Sequence, residues 1–409
     1  MSLFAERIGG ERFGKDTAIY KFEKIKRAKR EAIIHNPGIK LIDMGVGEPD
    51  SAADPKIVEV LAREAALKEN RFYSDNGIAD FQKASAAYLK KVYNVEIDNP
   101  LEQIVHGIGS KPVLAILPLC FVNPGEYTLM TVPGYPILGT YTAYVGGQVY
   151  PLPLLEENDY FPDLEAIPEA VLKKAKLLYL NYPNNPTGKA ATWDFFKKVV
   201  DFAKKNNVLV IHDASYAALN YDGKPPLSFL SLPGAMDVGL EIFSLSKAFN
   251  MTGWRLSFVA GRADYVKAYA TVKDNTDSGQ FRAIQKAGIY ALEHPEITHA
   301  TRDKYLRRLA LLNNALTQVG FKVRKPEGSF YTYVPAPTGT RDGQVFKNAG
   351  EAADFLIRKC LVSTVPWDDA GAYLRLSVTF EAQTQEEEKQ VIEEVQKRFL
   401  EAGLVFNRE

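Results

Sequence analysis

Short apolar runs alternate with amphipathic stretches through the middle of this 409-residue chain. Five of these runs are rich in β-branched and aromatic residues with few polar interruptions, which predicts strands buried on both faces. They are Tyr127–Val132, Lys176–Leu180, Val208–His212, Leu240–Leu245 and Leu256–Gly261. Between two of them, Thr192–Asn207 has helical spacing, with Thr192 as the expected N-cap. We therefore predict an α/β fold whose mostly parallel sheet is covered by helices on both faces.

The pattern changes after about residue 290. Residues 296–320 predict a long charged helix, and residues 321–334 predict a pair of short strands. A helix near Glu351–Lys359, a strand at Tyr373–Phe380 and a final helix follow. We predict a large domain over residues 42–290, and a smaller α+β domain made of residues 291–409 and the helical, basic arm 1–41.

Composition narrows the class of protein. Fifty basic residues balance fifty acidic ones, so the chain has no net charge with which to attract nucleic acid or an anionic membrane. The longest apolar run, Val113–Val122, is too short to span a bilayer. Cys120 and Cys360 lie far apart among apolar neighbours, as inert thiols in a reducing compartment do. We expect a soluble, cytoplasmic protein without a metal site.

Unusual polar residues follow three of the predicted strands, in "NYPNNPTG" (Asn181–Gly188), "HDASY" (His212–Tyr216) and "SLSK" (Ser244–Lys247). Taken singly, a turn, a helix cap and a solvated lysine would explain them. In open α/β sheets, however, ligands bind at the carboxyl ends of the strands. The combined carboxylate, phenol, amide, hydroxyls, lysine and arginine suit a cationic ring that carries a phenolic oxygen, an aldehyde and a phosphate. Pyridoxal phosphate is such a group.

These motifs, together with "SLSKAFNMTGWR" and "YLRLSV", resemble the ordered signatures of the class I/II, fold-type I pyridoxal-phosphate aminotransferases. The resemblance extends from about Leu41 to about Leu400. It implies that Lys247 forms the Schiff base with the cofactor and that Asp213 pairs with the ring nitrogen. It also implies that Tyr216 and Asn185 donate hydrogen bonds to the phenolic oxygen.

The resemblance implies roles for further residues around the cofactor and the substrate. The expected phosphate ligands are Ser244, Ser246 and Arg255, with Ser110 and Lys111 of "GIGSKP" at a helix N-terminus. Tyr135 would stack on the ring, and Gly47 would let the backbone approach the substrate. Arg375 would bind the substrate α-carboxylate through its planar fork.

Members of this family are usually homodimers that share their active sites. The resemblance implies that Tyr73 reaches the phosphate of the other subunit and that Asn275 lies beside its cofactor. Ordinary surface loops are the alternative explanation for both segments. The expected reaction is a ping-pong transfer of an amino group from an L-amino acid to a 2-oxo acid such as 2-oxoglutarate.

Several stretches, including "IGSKP", "VPGYP" and "EENDYFPDL", resemble the LL-diaminopimelate aminotransferase branch of the family, which acts in lysine biosynthesis. In that interpretation Tyr20 reaches the site, and Asp75 with Lys111 binds the distal end of the substrate. The short loop "SDN" after Tyr73 departs from that branch and leaves the amino donor open. The alternatives are a general alanine, aspartate or aromatic aminotransferase, a pyridoxal-phosphate lyase or synthase, and a regulatory protein without catalysis.

Overall fold

The computed structural model describes residues 3–14 and 21–406, so Tyr20 lies outside the described residues. Within them the helices are α1 (Lys21–His35), α2 (Pro55–Ala65), α3 (Ala79–Tyr93), α4 (Pro100–Gln103), α5 (Ser110–Phe121), α6 (Ile137–Tyr144), α7 (Glu169–Leu172), α8 (Trp193–Asn206), α9 (Ala263–Lys273), α10 (Arg282–Glu293), α11 (Ile297–Val319), α12 (Ala349–Phe355) and α13 (Gln385–Glu401). The strands are β1 (Ile42–Asp43), β2 (Ile104–Gly107), β3 (Tyr127–Val132), β4 (Gln148–Pro153), β5 (Ala175–Asn181), β6 (Leu209–Asp213), β7 (Gly239–Ser244), β8 (Ser257–Gly261), β9 (Tyr331–Pro335), β10 (Gly339–Thr340), β11 (Val362–Ser363), β12 (Val365–Trp367), β13 (Tyr373–Ser377) and β14 (Leu404–Val405).

The chain divides into two compact units. The larger unit comprises Glu48–Arg307 and Pro326–Phe330, and the smaller unit comprises the described parts of Met1–Gly47, Arg308–Lys325 and Tyr331–Glu409. The domain boundaries at residues 42 and 290 stay a prediction.

A seven-stranded sheet with the order β2-β8-β7-β6-β5-β3-β4 forms the centre of the larger unit. The pairs among β4, β3, β5, β6 and β7 are parallel, and β8 runs antiparallel to both of its neighbours. Alternate residues of each central strand enter two different apolar cores: Leu178 and Val210 belong to one, and Leu177 and Ile211 to the other. The predicted α/β fold with a mostly parallel sheet is therefore confirmed.

The predicted helix over Thr192–Asn207 is α8, and its first turn shows why it begins there. The Thr192 side-chain oxygen accepts a hydrogen bond from the Phe195 backbone N–H at 3.2 Å, as an N-cap does. The helix ends where Asn207 adopts the left-handed conformation, which asparagine tolerates well. Its apolar stripe, which includes Phe196 and Val199, is fully buried against the sheet core.

The smaller unit contains the antiparallel sheet β12-β13-β9 and two short strand pairs, β1 with β11 and β10 with β14. The prediction of two strands within residues 321–334 is wrong, because only β9 forms there. Residues Pro326–Phe330 instead pack within the larger unit, where the Glu327 backbone N–H donates to the Gly188 carbonyl at 2.8 Å. Those backbone groups are therefore not available for a second strand.

Both cysteines are free, and burial raises the pKa of each thiol to about 12. Among residues 3–14 and 21–406, no helix is both long and apolar enough to cross a membrane.

Candidate active site

Three parallel strands of the larger unit end side by side. β5 ends at Asn181, β6 at Asp213 and β7 at Ser244, and Asn181 is paired with Asp213 in the register of the sheet. The carboxyl ends of parallel strands are where α/β proteins bind ligands, because loops and helix N-termini converge there. The structure thus brings the three polar motifs to one edge of the sheet.

Asp213 is a buried carboxylate, with 5% of its surface exposed. Its Oδ1 accepts hydrogen bonds from the backbone N–H of Ser215, at 3.1 Å, and from the hydroxyl of Ser215. Its Oδ2 accepts one from the Tyr179 hydroxyl at 3.4 Å. Burial raises the pKa of Asp213, although the bonds from Ser215 oppose this shift. A desolvated carboxylate held by neutral donors suits a cationic partner, such as a protonated ring nitrogen.

Lys247 lies in the turn that follows β7 and is half-buried. Its Nζ is 5.9 Å from the centre of the Phe330 ring. Tyr216, which is buried, contacts the same ring edge-on, with 5.4 Å between the ring centres. Phe330 therefore forms an apolar wall common to the predicted Schiff-base lysine and to one predicted ligand of the phenolic oxygen.

Arg255 lies against the N-terminus of α5. Gly109, which precedes the helix, has φ +76°, and a Cβ added to it would lie 2.1 Å from Nη2 of Arg255. The guanidinium also donates through Nη1 to the Thr252 carbonyl at 2.9 Å. A fixed cation beside the free N–H groups of a 12-residue helix is a favourable arrangement for binding a phosphate.

A chain of hydroxyl groups joins this phosphate-binding arrangement to Asp213. The hydroxyl of Ser110, the first residue of α5, lies 3.1 Å from that of Ser215, which in turn donates to Asp213. On the neighbouring loop, the Ser244 hydroxyl accepts from the Ser246 backbone N–H at 3.1 Å. The first pair of serines is thus joined to Asp213, and the second pair lies at the end of β7.

The remaining predicted residues of the larger unit differ in their burial. Asn185 is buried, and its backbone N–H donates to Oδ1 of Asn181 at 2.9 Å. Tyr135 is half-buried and packs on the core that contains Tyr179. Lys111 is exposed at the second position of α5.

The two segments predicted to reach a second subunit contact each other. Tyr73 is 79% exposed, and Asn275 is also exposed. Next to Tyr73, the Ser74 hydroxyl donates to the Gln280 carbonyl at 2.7 Å, and Lys273 donates to the carbonyl of Asp75 at 2.7 Å. These bonds join the two loops into one surface feature.

The same loops are bonded to the backbone at the phosphate-binding arrangement. The Gln280 side-chain amide donates to the Arg255 carbonyl at 2.8 Å and to the Trp254 carbonyl at 2.7 Å. The position of Arg255 therefore depends on the loop that carries Asn275.

In the smaller unit, Arg375 and Gly47 lie close together. Arg375 is buried on β13, its Nη2 donates to the Gly45 carbonyl at 2.9 Å, and its guanidinium carbon lies 4.1 Å from the centre of the Tyr331 ring. A Cβ on Gly47 would approach the Tyr331 hydroxyl to 2.6 Å, so that only glycine fits there. The guanidinium is thus held in one orientation by a carbonyl and a ring face.

Four residues of the larger unit that contact this site were missed in the sequence. Asn181 and Ser215 stand inside the motifs "NYPNNPTG" and "HDASY", and their strand-end position is a signal that could have identified them. Tyr179 is one of several residues in the apolar run Lys176–Leu180, and Phe330 lies 83 residues after Lys247 in the sequence. Neither has a local signal, because their relation to the site exists only in the folded chain.

Comparison with known proteins identifies the family. The sequence model of aminotransferase class I and II matches residues 39–394. The chain is 57% identical to the LL-diaminopimelate aminotransferase of Methanocaldococcus jannaschii and 55% identical to that of Methanococcus maripaludis, in both cases over 99% of this chain and 98% of the relative. Among solved structures, substrate-bound BacF from Bacillus subtilis matches with a TM-score of 0.88 and 31% identity over 100% of both chains. The chain therefore belongs to the aminotransferase class I and II family.

Proposed function

We propose that this protein is an LL-diaminopimelate aminotransferase that uses pyridoxal phosphate and 2-oxoglutarate. The single observation that carries the substrate is the identity of 57% and 55% with two full-length relatives of that name. The proposal includes a role in lysine biosynthesis and the cytoplasmic location predicted from the sequence.

The side chains at the strand-end edge fit the cofactor. Asp213 is a buried carboxylate that lacks a cation among its hydrogen-bond donors Ser215 and Tyr179, and a protonated ring nitrogen would supply one. The cradle of Arg255 against Gly109, which a Cβ would fill, suits a phosphate. Pyridoxal phosphate, when bound, acts as an electron sink for the substrate α-carbon.

Within this proposal each residue has a definite task. The Asp213 carboxylate would accept a hydrogen bond from the protonated ring nitrogen and keep it protonated, and Tyr216 and Asn185 would donate hydrogen bonds to the phenolic oxygen. The phosphate would be bound by Arg255, Ser110, Ser244 and Ser246, with Lys111 nearby, and Tyr135 would stack on the ring. The Lys247 amine would hold the cofactor at its aldehyde, and the free amine would serve as the base that moves the proton at the substrate α-carbon.

Substrate recognition is proposed for Arg375, which would take the α-carboxylate bidentately. Its guanidinium is fixed by the Gly45 carbonyl and the Tyr331 ring, so that little side-chain entropy is lost on binding. Gly47 lets the backbone approach the substrate. Asp75 and Lys111, both exposed, would bind the distal ammonium and carboxylate, and Tyr20 would contribute to the same site.

We further propose a homodimer in which Tyr73 and Asn275 serve the site of the other subunit. Phe72, Tyr73 and Phe281 are exposed by 50%, 79% and 44%, an unusual concentration of aromatic surface on loops that are bonded to each other. Aromatic residues are enriched where protein interfaces form.

An amino-donor panel tests the substrate. Purified protein is incubated with 2-oxoglutarate and LL-diaminopimelate, alanine, aspartate or phenylalanine, and the glutamate formed is measured. We expect LL-diaminopimelate to give the highest kcat/KM, by at least about tenfold, which corresponds to one well-placed polar contact at the distal end of the substrate.

Two outcomes of this panel would contradict the proposal. If another donor is preferred, the substrate assignment is wrong while the family assignment stands. If eliminated or cyclised products appear in place of 2-oxo acids, the protein is a lyase or synthase. Borohydride reduction of the cofactor-loaded protein, followed by peptide mapping, should place the cofactor on Lys247.

A further inference from the structure

One buried amide side chain joins the ends of the two strands that carry the proposed ring contacts. Asn181, the last residue of β5, is 2% exposed. Its Nδ2 donates to the backbone carbonyl of Asp213 at 2.8 Å. Its Oδ1 accepts from the backbone N–H of Asn185 at 2.9 Å. Both ends of a single planar group are therefore used, one toward β6 and one toward the loop after β5.

Backbone pairing between β5 and β6 cannot join the loops that follow these two strands. The pairing of β5 with β6 stops at Asn181 and Asp213. Beyond that point the chain contains Pro183 and Pro186, which have no backbone N–H and cannot extend a ladder. The Asn181 side chain supplies the donor that the backbone no longer provides.

The residue type is also specific. An asparagine amide carries a donor and an acceptor on one rigid group, whereas an aspartate carboxylate lacks the donor. The backbone carbonyl of Asn181 is used as well, because it accepts from the side chain of Asn184 at 3.2 Å. Asn184 in turn bonds to Thr187, so the loop that leads to Asn185 is held from inside.

We infer that Asn181 is a positioning residue that fixes Asp213 and Asn185 relative to each other. This inference rests on the proposed function, in which Asp213 binds the ring nitrogen and Asn185 the phenolic oxygen of one rigid pyridine ring. Because the ring sets the distance between those two atoms, a shift of either strand end weakens both contacts together. Asn181 itself contacts neither the cofactor nor the substrate in this account.

The test measures cofactor binding rather than turnover. Cofactor-free wild type, Asn181→Ala and Asn181→Asp are titrated with pyridoxal phosphate, and the dissociation constant is read from protein fluorescence. The absorbance of the bound cofactor is then followed against pH.

We expect Asn181→Ala to weaken binding by about tenfold or more, because two buried hydrogen bonds are lost. It should also shift the pH midpoint of the absorbance titration. Asn181→Asp keeps the size and the acceptor for Asn185, but it replaces the donor to the Asp213 carbonyl by a carboxylate oxygen, so it should also weaken binding.

Asn206→Ala is the matched control. This part-buried asparagine donates to the Phe202 carbonyl at 2.8 Å near the end of α8, away from the strand-end edge. Its removal should leave both readouts unchanged. If Asn181→Ala does not fold, Asn181→Asp still tests the contact with the Asp213 carbonyl, because it keeps the acceptor for the Asn185 backbone N–H.

A double-mutant cycle separates positioning from general destabilisation. If Asn181 acts through Asn185, the change in the dissociation constant caused by Asn181→Ala should be several-fold smaller in an Asn185→Ala background. Full additivity of the two changes, or wild-type affinity and titration midpoint in both Asn181 variants, would overturn the inference. If the wild type itself binds no pyridoxal phosphate, the proposed function fails instead.

Discussion

At the scale of single residues, the candidate site contains the buried carboxylate of Asp213, whose negative charge is unfavourable in the folded, cofactor-free protein. Asp213 is buried, and burial raises its pKa above the ordinary value of 3.8. In the cofactor-free protein the ionised carboxylate therefore destabilises the folded state once the pH exceeds that value, and the cost increases until the pH passes the raised pKa. A group that is unfavourable for stability but suited to bind a cation is a sign of function.

Asp213→Asn should consequently have opposite effects on stability and on activity. The neutral amide removes the buried charge, so at pH 7 the cofactor-free variant should unfold at a higher urea concentration than wild type, and this difference should vanish below pH 3.8. Transamination should fall by about 10²–10³, as for the loss of one preorganised electrostatic contact. Urea unfolding at several pH values and initial rates measure the two effects.

The exposed Asp201 on α8 provides the control, since Asp201→Asn removes the same charge from a solvated position. That variant should match wild type in both measurements. A less stable Asp213→Asn protein at pH 7, or one with wild-type activity, would contradict the argument.

At the scale of elements, the N-terminus of α5 and the loop that carries Arg255 are fitted to each other through Gly109. This glycine has φ +76°, and no Cβ can occupy its position without displacing the Arg255 guanidinium. The phosphate-binding arrangement is thus a property of two elements rather than of one side chain.

Gly109→Ala should weaken pyridoxal-phosphate binding by about tenfold or more, because Arg255 must move from the helix N-terminus. Gly125→Ala is a matched control: Gly125 has φ +82°, and a Cβ there would meet nothing within 4 Å. Both variants carry the backbone strain, of about 1 kcal/mol in unfolding free energy. Fluorescence titration with the cofactor should distinguish them, and equal affinities would show that Arg255 is not held by this contact.

The elements also show what the sequence could and could not predict. β3, β5, β6, β7, β8 and α8 were located to within one or two residues, because strands buried on both faces and a capped amphipathic helix have strong local patterns. β4 was missed, since this edge strand contains Pro151 and Pro153 and is mostly exposed. β2 was also missed, because four residues are too few to show a period. The motifs located the strand-end residues, but contacts such as Lys247 with Phe330 depend on the tertiary fold.

At the scale of the whole molecule, each of the two units has its own stabilising polar contacts. In the smaller unit, Arg308 is fully buried and donates to Oε1 of Glu388 at 2.8 Å and to the carbonyls of Val378 and Phe380 at 3.0 and 2.8 Å. Glu388 is 3% exposed. Removing the carboxylate would take away a negative charge that is hydrogen-bonded to a buried guanidinium, which is unfavourable.

Glu388→Gln should destabilise the smaller unit by about 3 kcal/mol. The control is Glu386→Gln, which removes an exposed acidic charge from the same first turn of α13 and so accounts for the loss of helix-dipole stabilisation. Trp367 is the tryptophan of the smaller unit, whereas Trp193 and Trp254 belong to the larger. Urea unfolding followed by fluorescence in single-tryptophan proteins should show an earlier transition at Trp367; an unchanged transition there would mean that the ion pair is not stabilising.

The larger unit is built from two separate stretches of the chain, and this affects how it can be expressed without the smaller unit. Pro326–Phe330 belongs to it although the residues on both sides do not. A fragment that stops at Arg307 would lack Phe330, the ring beside Lys247 and Tyr216. It would also lack Glu327, whose carboxylate lies 2.9 Å from the buried ammonium of Lys189. Expression of a working cofactor-binding fragment therefore requires this pentapeptide to be grafted on or added as a separate peptide.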